Sequence, residues 1–267
     1  MIPKIIHWCW FGGNPIPDDV KRYLASWQRY CPDYRIICWN EENFDVTQNA
    51  YCQEAYEAKK WAFVADYVRL KVLWDYGGFY LDSDVELLKP LDSFLSYQAL
   101  SGYESEDAIP TGLMAAEPHN EWIGMLLSDY DHLHFRQENG SIDLTTNVAR
   151  ITQRTVERYG IEPNNQKTVF GGGGMVLFPK DYFCPKDAAT GDIQLTPHTY
   201  AIHHFAGSWL SAREKRNVRI RDWLKEHFGS QPGLRLYRIY HYFFVHKVGH
   251  IIHAWNKHIR GDRFDKH

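Results

Sequence analysis

With 267 residues, 44% of them hydrophobic and 24% charged, the chain has the balance of one large globular domain with room for a small appendage. A formal net charge of −3 gives no basis for nucleic-acid binding by the whole chain. Five cysteines, odd in number and without a Cys-x-x-Cys pair, cannot all be joined within one chain, and a reduced, cytoplasmic setting fits them best.

Lys4 to Phe11 reads as a first strand. No extended apolar run precedes it, so no leader peptide is expected, and the longest late apolar run, Tyr242 to Val245, is far too short to span a membrane. Pro17-Asp18 then opens a helix with the apolar stripe Val20, Tyr23, Leu24, Trp27 and Tyr30, and Tyr34 to Trp39 returns as a second strand. Such a βαβ unit predicts a parallel pair with a right-handed crossover, and ligands of such sheets sit beyond the carboxyl ends of the strands. Trp10 stands at that end of the first strand.

Ala62 to Trp74 shows helical periodicity through Phe63, Tyr67, Leu70 and Trp74, with Asp66 and Arg69 three apart on one face. Gly77-Gly78 can supply the positive φ that stops this helix, and Phe79-Tyr80-Leu81 reads as a short buried strand ending in Asp82-Ser83-Asp84. Residues two apart on a strand point the same way, so Asp82 and Asp84 converge if extended geometry persists to Asp84. Paired carboxylates of this kind suit a hard cation, Mn²⁺ or Mg²⁺, whose other ligands come from water and substrate phosphates. An isolated Asp-x-Asp is more often a solvated turn, and the residues upstream are what set this one apart.

Further along, the region 111–147 holds Glu117, His119, Asn120, Thr146 and Asn147 as unranked candidates for acceptor recognition. Gly171 to Gly174 lacks the Gly-Lys-Ser/Thr of a Walker loop and is expected to let backbone pass near substrate ahead of a strand at Met175 to Phe178. Alternation through 199–205 sends His203 and His204 to opposite faces, so only one should reach a metal. After residue 229 the chain turns basic and aromatic, and no acidic residue occurs between Glu226 and Asp262. His246, His250, His253, Lys257 and Arg260 form a polar helical stripe opposite Phe244, Val248, Ile251, Ile252, Trp255 and Ile259. This tail suits either an anionic membrane surface or packing on protein.

Taken together, Ala65-Asp66, Arg69, Gly77-Gly78, Tyr80, Asp82 and Asp84 resemble the signature of glycosyltransferase family 32, and their spacing is similar to the catalytic domain of the large clostridial glucosylating toxins. The opening Ile2 to Gly13 and the late His203 to Trp209 resemble family blocks too, so the likeness runs from residue 2 to about residue 209.

The resemblance implies a GT-A fold: an α/β, Rossmann-like mixed sheet flanked by helices over residues 1–229, with residues 230–267 as a helical appendage. It implies a retaining transfer of a hexose from a nucleotide sugar, UDP-linked by analogy, to a glycan or lipid-linked glycan acceptor in surface polysaccharide synthesis. Trp10 would stack on the base, Asp66 would accept a ribose hydroxyl, and Arg69 would contact the donor sugar or phosphate. Tyr80 would donate to phosphate or pack. Ser208 and Trp209 would close over the diphosphate. Asp82, Asp84 and His204 would hold the metal, His204 being chosen because His204-Phe205-x-Gly207 is similar to the ligand segment of glycogenin-like transferases. No catalytic base is assigned. Two other classes fit parts of the pattern: a glycoside hydrolase, which would ignore nucleotide and metal, and a non-enzymatic sugar-binding or membrane-adaptor protein.

Overall fold

The computed structural model describes residues 1–110, 112–207 and 212–241. Within the larger unit, residues 1–187 and 193–209, the chain opens with β1 (Ile5–Cys9), α1 (Asp18–Tyr30) and β2 (Arg35–Trp39), and β1 pairs parallel to β2 as anticipated. Then come α2 (Ala50–Glu57), α3 (Trp61–Tyr76), β3 (Gly78–Leu81) and β4 (Val85–Leu87). β5 (Ala99–Gly102), β6 (Leu113–Ala116), α4 (Glu121–Ser128) and α5 (Asn147–Tyr159) follow. β7 (Thr168–Phe170), β8 (Met175–Phe178), α6 (Lys180–Phe183) and β9 (Ala201–His203) complete the unit. Seven strands form one mixed sheet in the order β2-β1-β3-β6-β5-β8-β7, while β4 and β9 make a separate antiparallel pair. The β2-β1-β3 half is parallel, and β6 runs antiparallel between β3 and β5. The fold is α/β: a Rossmann-like parallel half-sheet extended by antiparallel strands and flanked by helices, the mixed sheet expected from the sequence.

Strand alternation splits the core between the two faces of the sheet. Tyr80, Met114, Ala116 and Leu177 pack with the α2, α3 and α4 side, whereas Phe79, Leu81, Leu113, Ala115 and Val176 pack with Val20 and Trp27 of α1. Helix α3 departs from a one-sided stripe. From Val64 through Leu73 nearly every side chain is buried, Asp66 and Arg69 included, while Phe63 and Trp74 are only half-buried. The stripe read from the sequence therefore marks only part of a helix that is enclosed almost all round.

Gly77 and Gly78 end α3 with φ of 62° and 100°. A Cβ at Gly78 would come within 2.7 Å of the Ile5 carbonyl oxygen, so only glycine lets β3 enter the sheet this close to β1. His7 of β1 locks the same corner. Its Nε2–H donates to the Gly77 carbonyl at 2.8 Å, and its Nδ1 accepts from Trp39 Nε1–H at 3.0 Å. Both ring nitrogens are used by the neutral form, and a second ring proton would point at the Trp39 N–H. Burial lowers the His7 pKa to about 4. The unfolded chain therefore takes up a proton near pH 6.5 that the folded chain refuses until about pH 4, so stability falls as pH drops through that window. The loss attributable to His7 between pH 7 and pH 4 is roughly 3 kcal/mol. Denaturant unfolding of the parent and of His7→Gln at both pH values checks this, since the variant should lack that part of the slope. Identical slopes would show that His7 is not responsible.

The second unit holds α7 (Ala212–Phe228) and α8 (Ser230–Tyr240), together with residues 188–192. Gly233 of α8 lies so close to α7 that a Cβ there would meet the Leu224 carbonyl oxygen at 2.5 Å. Arg221 donates to the carbonyls of Ala188 and Ala189, and Lys225 pairs with Asp192 at 2.7 Å. The composition change at residue 229 falls between these two packed helices. Among the described residues no helix is long and apolar enough to cross a membrane, no cysteine is in a disulfide, and the tail stripe from His246 to Arg260 lies outside them.

Candidate active site

Because β1 and β3 are parallel neighbours, the segments leaving their C-terminal ends share one rim of the sheet. β3 stops at Leu81, and residues 82–85 form a turn in which Val85 N–H donates to the Asp82 carbonyl at 3.0 Å. The two carboxylates thus come together by a turn, the extended geometry on which convergence by alternation depended ending at Leu81. Asp82 N–H donates to the Gly112 carbonyl at 2.8 Å. A Cβ on Gly112 would stand 3.1 Å from both Asp82 Oδ2 and the His203 ring, so this glycine keeps the tip open.

The β4–β9 pair brings the late histidines to the same place, with Val85 opposite His203. One ligand atom each from Asp82, Asp84 and His203 lies within 4.8 Å of the others. His203 Nε2 is 3.4 Å from Asp84 Oδ1. His204 turns away. Its Nε2 bonds Glu86 Oε2 at 2.8 Å and its ring stacks on Tyr23 at 4.6 Å. Only one histidine reaches the acidic tip, as alternation requires, but it is His203. The choice of His204 is corrected by the β4–β9 register.

Electrostatically the two carboxylates differ. Burial would raise the Asp84 pKa, but His203 and the Ala206 N–H, which donates to Asp84 Oδ2 at 2.7 Å, outweigh it and hold it at about 2. Burial raises that of Asp82 in spite of Arg69 and His203. The Arg69 guanidinium reaches Asp82 Oδ1 at 3.0 Å and Asp66 Oδ1 at 3.2 Å. It also lies 4.8 Å over the Tyr80 ring. Tyr80 is 1% exposed and packs beneath Arg69. The Asp66–Arg69 pair, which on a surface helix would contribute little, is buried, and burial raises the Asp66 pKa to about 6 even with Arg69 beside it.

These groups fit a divalent cation. Two carboxylates and an imidazole are an acceptable donor set for Mn²⁺ or Mg²⁺, and His203 Nδ1 is a buried nitrogen without a hydrogen-bond partner, free for an outer contact while Nε2 faces the tip.

Beside β1 opens a cleft of about 900 Å³ lined by Trp10, Gly12, Gly13, Asn40, Tyr56 and Trp61, among others. Trp10 Nε1–H donates to the Asn14 carbonyl at 2.7 Å, which fixes the indole at the mouth. Glu41, exposed, lines it too, accepting from Gly12 N–H at 2.6 Å and from the Tyr56 hydroxyl at 3.2 Å. No sequence signal marks Glu41, which lies in a turn of ordinary composition. Ser208 and Trp209 lie outside the described residues. Of the acceptor candidates, Asn120 and Thr146 cap α4 and α5 through their side chains, and His119 packs edge-on against Trp74.

Residues 17–101 match the family described as "Glycosyltransferase sugar-binding region containing DXD motif". The chain is 34% identical over 117 residues to inositol phosphoceramide mannosyltransferase 3 of Schizosaccharomyces pombe, an alignment covering 42% of this chain and 33% of that one. The chain is glycosyltransferase family 32-like. A second relative, mannosyl phosphorylinositol ceramide synthase SUR1 of Saccharomyces cerevisiae, is 27% identical across 49% of this chain and 35% of its own. The chain spans about a third of the length of these curated relatives. Among solved structures, PaToxG glycosyltransferase superposes with a TM-score of 0.46 at 21% identity, over 58% of this chain and 68% of that one. The family 32-like region runs through α1, α3, β3 and the acidic tip, and His203 enters from far outside it.

Proposed function

We propose that the chain is a metal-dependent, retaining hexosyltransferase. It would move a hexose from a nucleotide sugar, UDP-linked in this reading, to a hydroxyl of a glycan or lipid-linked glycan in surface or capsular polysaccharide synthesis. The observation that carries the reading is the meeting of Asp82, Asp84 and His203 on the rim beside the Trp10 cleft. Bound there, Mn²⁺ or Mg²⁺ would neutralise charge developing on the departing diphosphate.

The protein's own side chains would do the rest. Trp10 would hold the base against the cleft wall, a stacking contact of about 1–3 kcal/mol in comparable complexes. Arg69, fixed by Asp66 and by the Tyr80 ring, would hold Asp82 in place while presenting positive charge near the donor, and Asp66 would lie within reach of donor hydroxyls. Ser208 and Trp209 would cover the diphosphate. In the inherited chemistry the bond from anomeric carbon to phosphate oxygen breaks and the acceptor oxygen bonds on the same face. The acceptor proton passes to the leaving phosphate. Residues 1–229 would be the catalytic part and 230–267 a tail that contacts the inner face of an anionic membrane, a role supported by exposed Leu236 and Ile239 alongside Arg235 and Arg238 on α8.

A screen of nucleotide sugars with Mn²⁺, following nucleotide release with and without chelator, tests the proposal. Release that depends on metal and on one donor supports it. No release from any donor, or release indifferent to chelator, would overturn it. The same protein spun with neutral and with anionic vesicles tests the membrane contact, which equal sedimentation would remove.

A further inference from the structure

His203 faces the acidic tip through Nε2 and leaves Nδ1 buried without a hydrogen-bond partner. Opposite Nδ1 stands Glu104, with Oε2 at 3.9 Å and a side chain 26% exposed. Glu104 sits two residues beyond β5, and its N–H donates to the Ala108 carbonyl at 2.8 Å, which fixes the turn that carries the carboxylate inward. The Cys184 thiol also lies beside the ring.

Resting on the metal centre described above, we infer that Glu104 is the positioning residue for His203: it closes on the Nδ1–H of the imidazole whose Nε2 joins Asp82 and Asp84 around a divalent cation. The physical need is specific. A ligating imidazole must be neutral with its proton on the far nitrogen, and a carboxylate there fixes both the tautomer and the ring plane. Asp84 cannot serve, because it faces Nε2. Among the described residues Glu104 is the carboxylate within ion-pair distance of Nδ1, and a thiol such as that of Cys184 would be a weaker partner. A contact of 3.9 Å is long for a hydrogen bond, and small rotations of the two side chains toward each other would close it.

The test is Mn²⁺ binding by the full chain, measured as free Mn²⁺ by electron paramagnetic resonance, so that no turnover is needed. Glu104→Ala should weaken Mn²⁺ binding 10- to 100-fold. Glu104→Gln should restore most of it, because its amide oxygen still accepts from Nδ1–H. Cys184→Ala should stay within about threefold of the parent, as expected for a weak partner. Binding by Glu104→Ala within twofold of the parent would overturn the positioning role. So would equal losses in the alanine and glutamine variants, which would mark a requirement for the charge itself. Asp84→Asn separates the two levels: if it weakens Mn²⁺ binding while Glu104→Ala does not, the metal centre stands and only this inference fails. If neither variant changes binding, the metal centre fails with it.

Discussion

Asp84→Asn is expected to reduce metal-dependent donor turnover roughly 10²- to 10³-fold while the protein stays folded. Asp84 is 9% exposed and has two structural duties: it accepts the Ala206 N–H and it balances His203. Asparagine keeps the size and one acceptor oxygen, so the loop after β9 retains its anchor. It removes the negative charge, and with it a metal ligand. His203 then loses the partner that holds its pKa well above the ordinary value and can become neutral, so no unpaired cation is stranded in the interior. Alanine would be a poorer probe, since it would also leave the Ala206 N–H without its acceptor. Nucleotide release against Mn²⁺ concentration, read beside the thermal midpoint, decides the matter. Turnover within tenfold of the parent would mean that Asp84 does not hold the metal.

What could be read from the chain alone follows the range of the forces involved. The β1-α1-β2 unit was legible because its signals are local: an apolar run, a stripe through Val20, Tyr23 and Trp27, and a second apolar run. The Gly77-Gly78 break was legible for the same reason, as glycine alone tolerates those backbone angles. The small β4–β9 sheet was not, because Val85 and His203 are brought together by pairing across more than a hundred residues and no local pattern specifies that register. That one register decides between His203 and His204. Tyr80 could not be placed for a related reason. In a strand buried on both faces, periodicity does not say which face meets α3 and which meets α1. Glu104 follows a short strand in a loop of ordinary composition and becomes visible only once His203 is known to turn its Nδ1 that way. The DXD itself was legible in kind but not in shape, since a turn does what alternation was expected to do.

Arg69→Met should cost about 3–5 kcal/mol of folding stability, equivalent to a fall of roughly 10 °C in the thermal midpoint for a domain of this size. The guanidinium is 9% exposed, bridges Asp66 and Asp82, and covers the Tyr80 ring. Methionine matches much of its length and keeps contact with the ring, so the penalty comes chiefly from two carboxylates left without their cation. The pH dependence of that penalty follows from its cause. Asp66 already has its pKa raised to about 6 by burial, and without Arg69 it rises further. A carboxyl raised in the folded state favours folding below the ordinary carboxylate range and loses that advantage as pH climbs through the folded value. The gap between parent and variant should therefore be wider at pH 7.5 than at pH 5, whatever His7 contributes equally to both. Adding Asp66→Asn to Arg69→Met should recover part of the loss by removing one of the stranded charges. Denaturant midpoints of the three proteins at both pH values provide the measurement. A loss below about 1 kcal/mol, the range of exposed pairs, or a gap that does not change with pH, would mean that Arg69 is not the ion that makes this buried acidic pair tolerable.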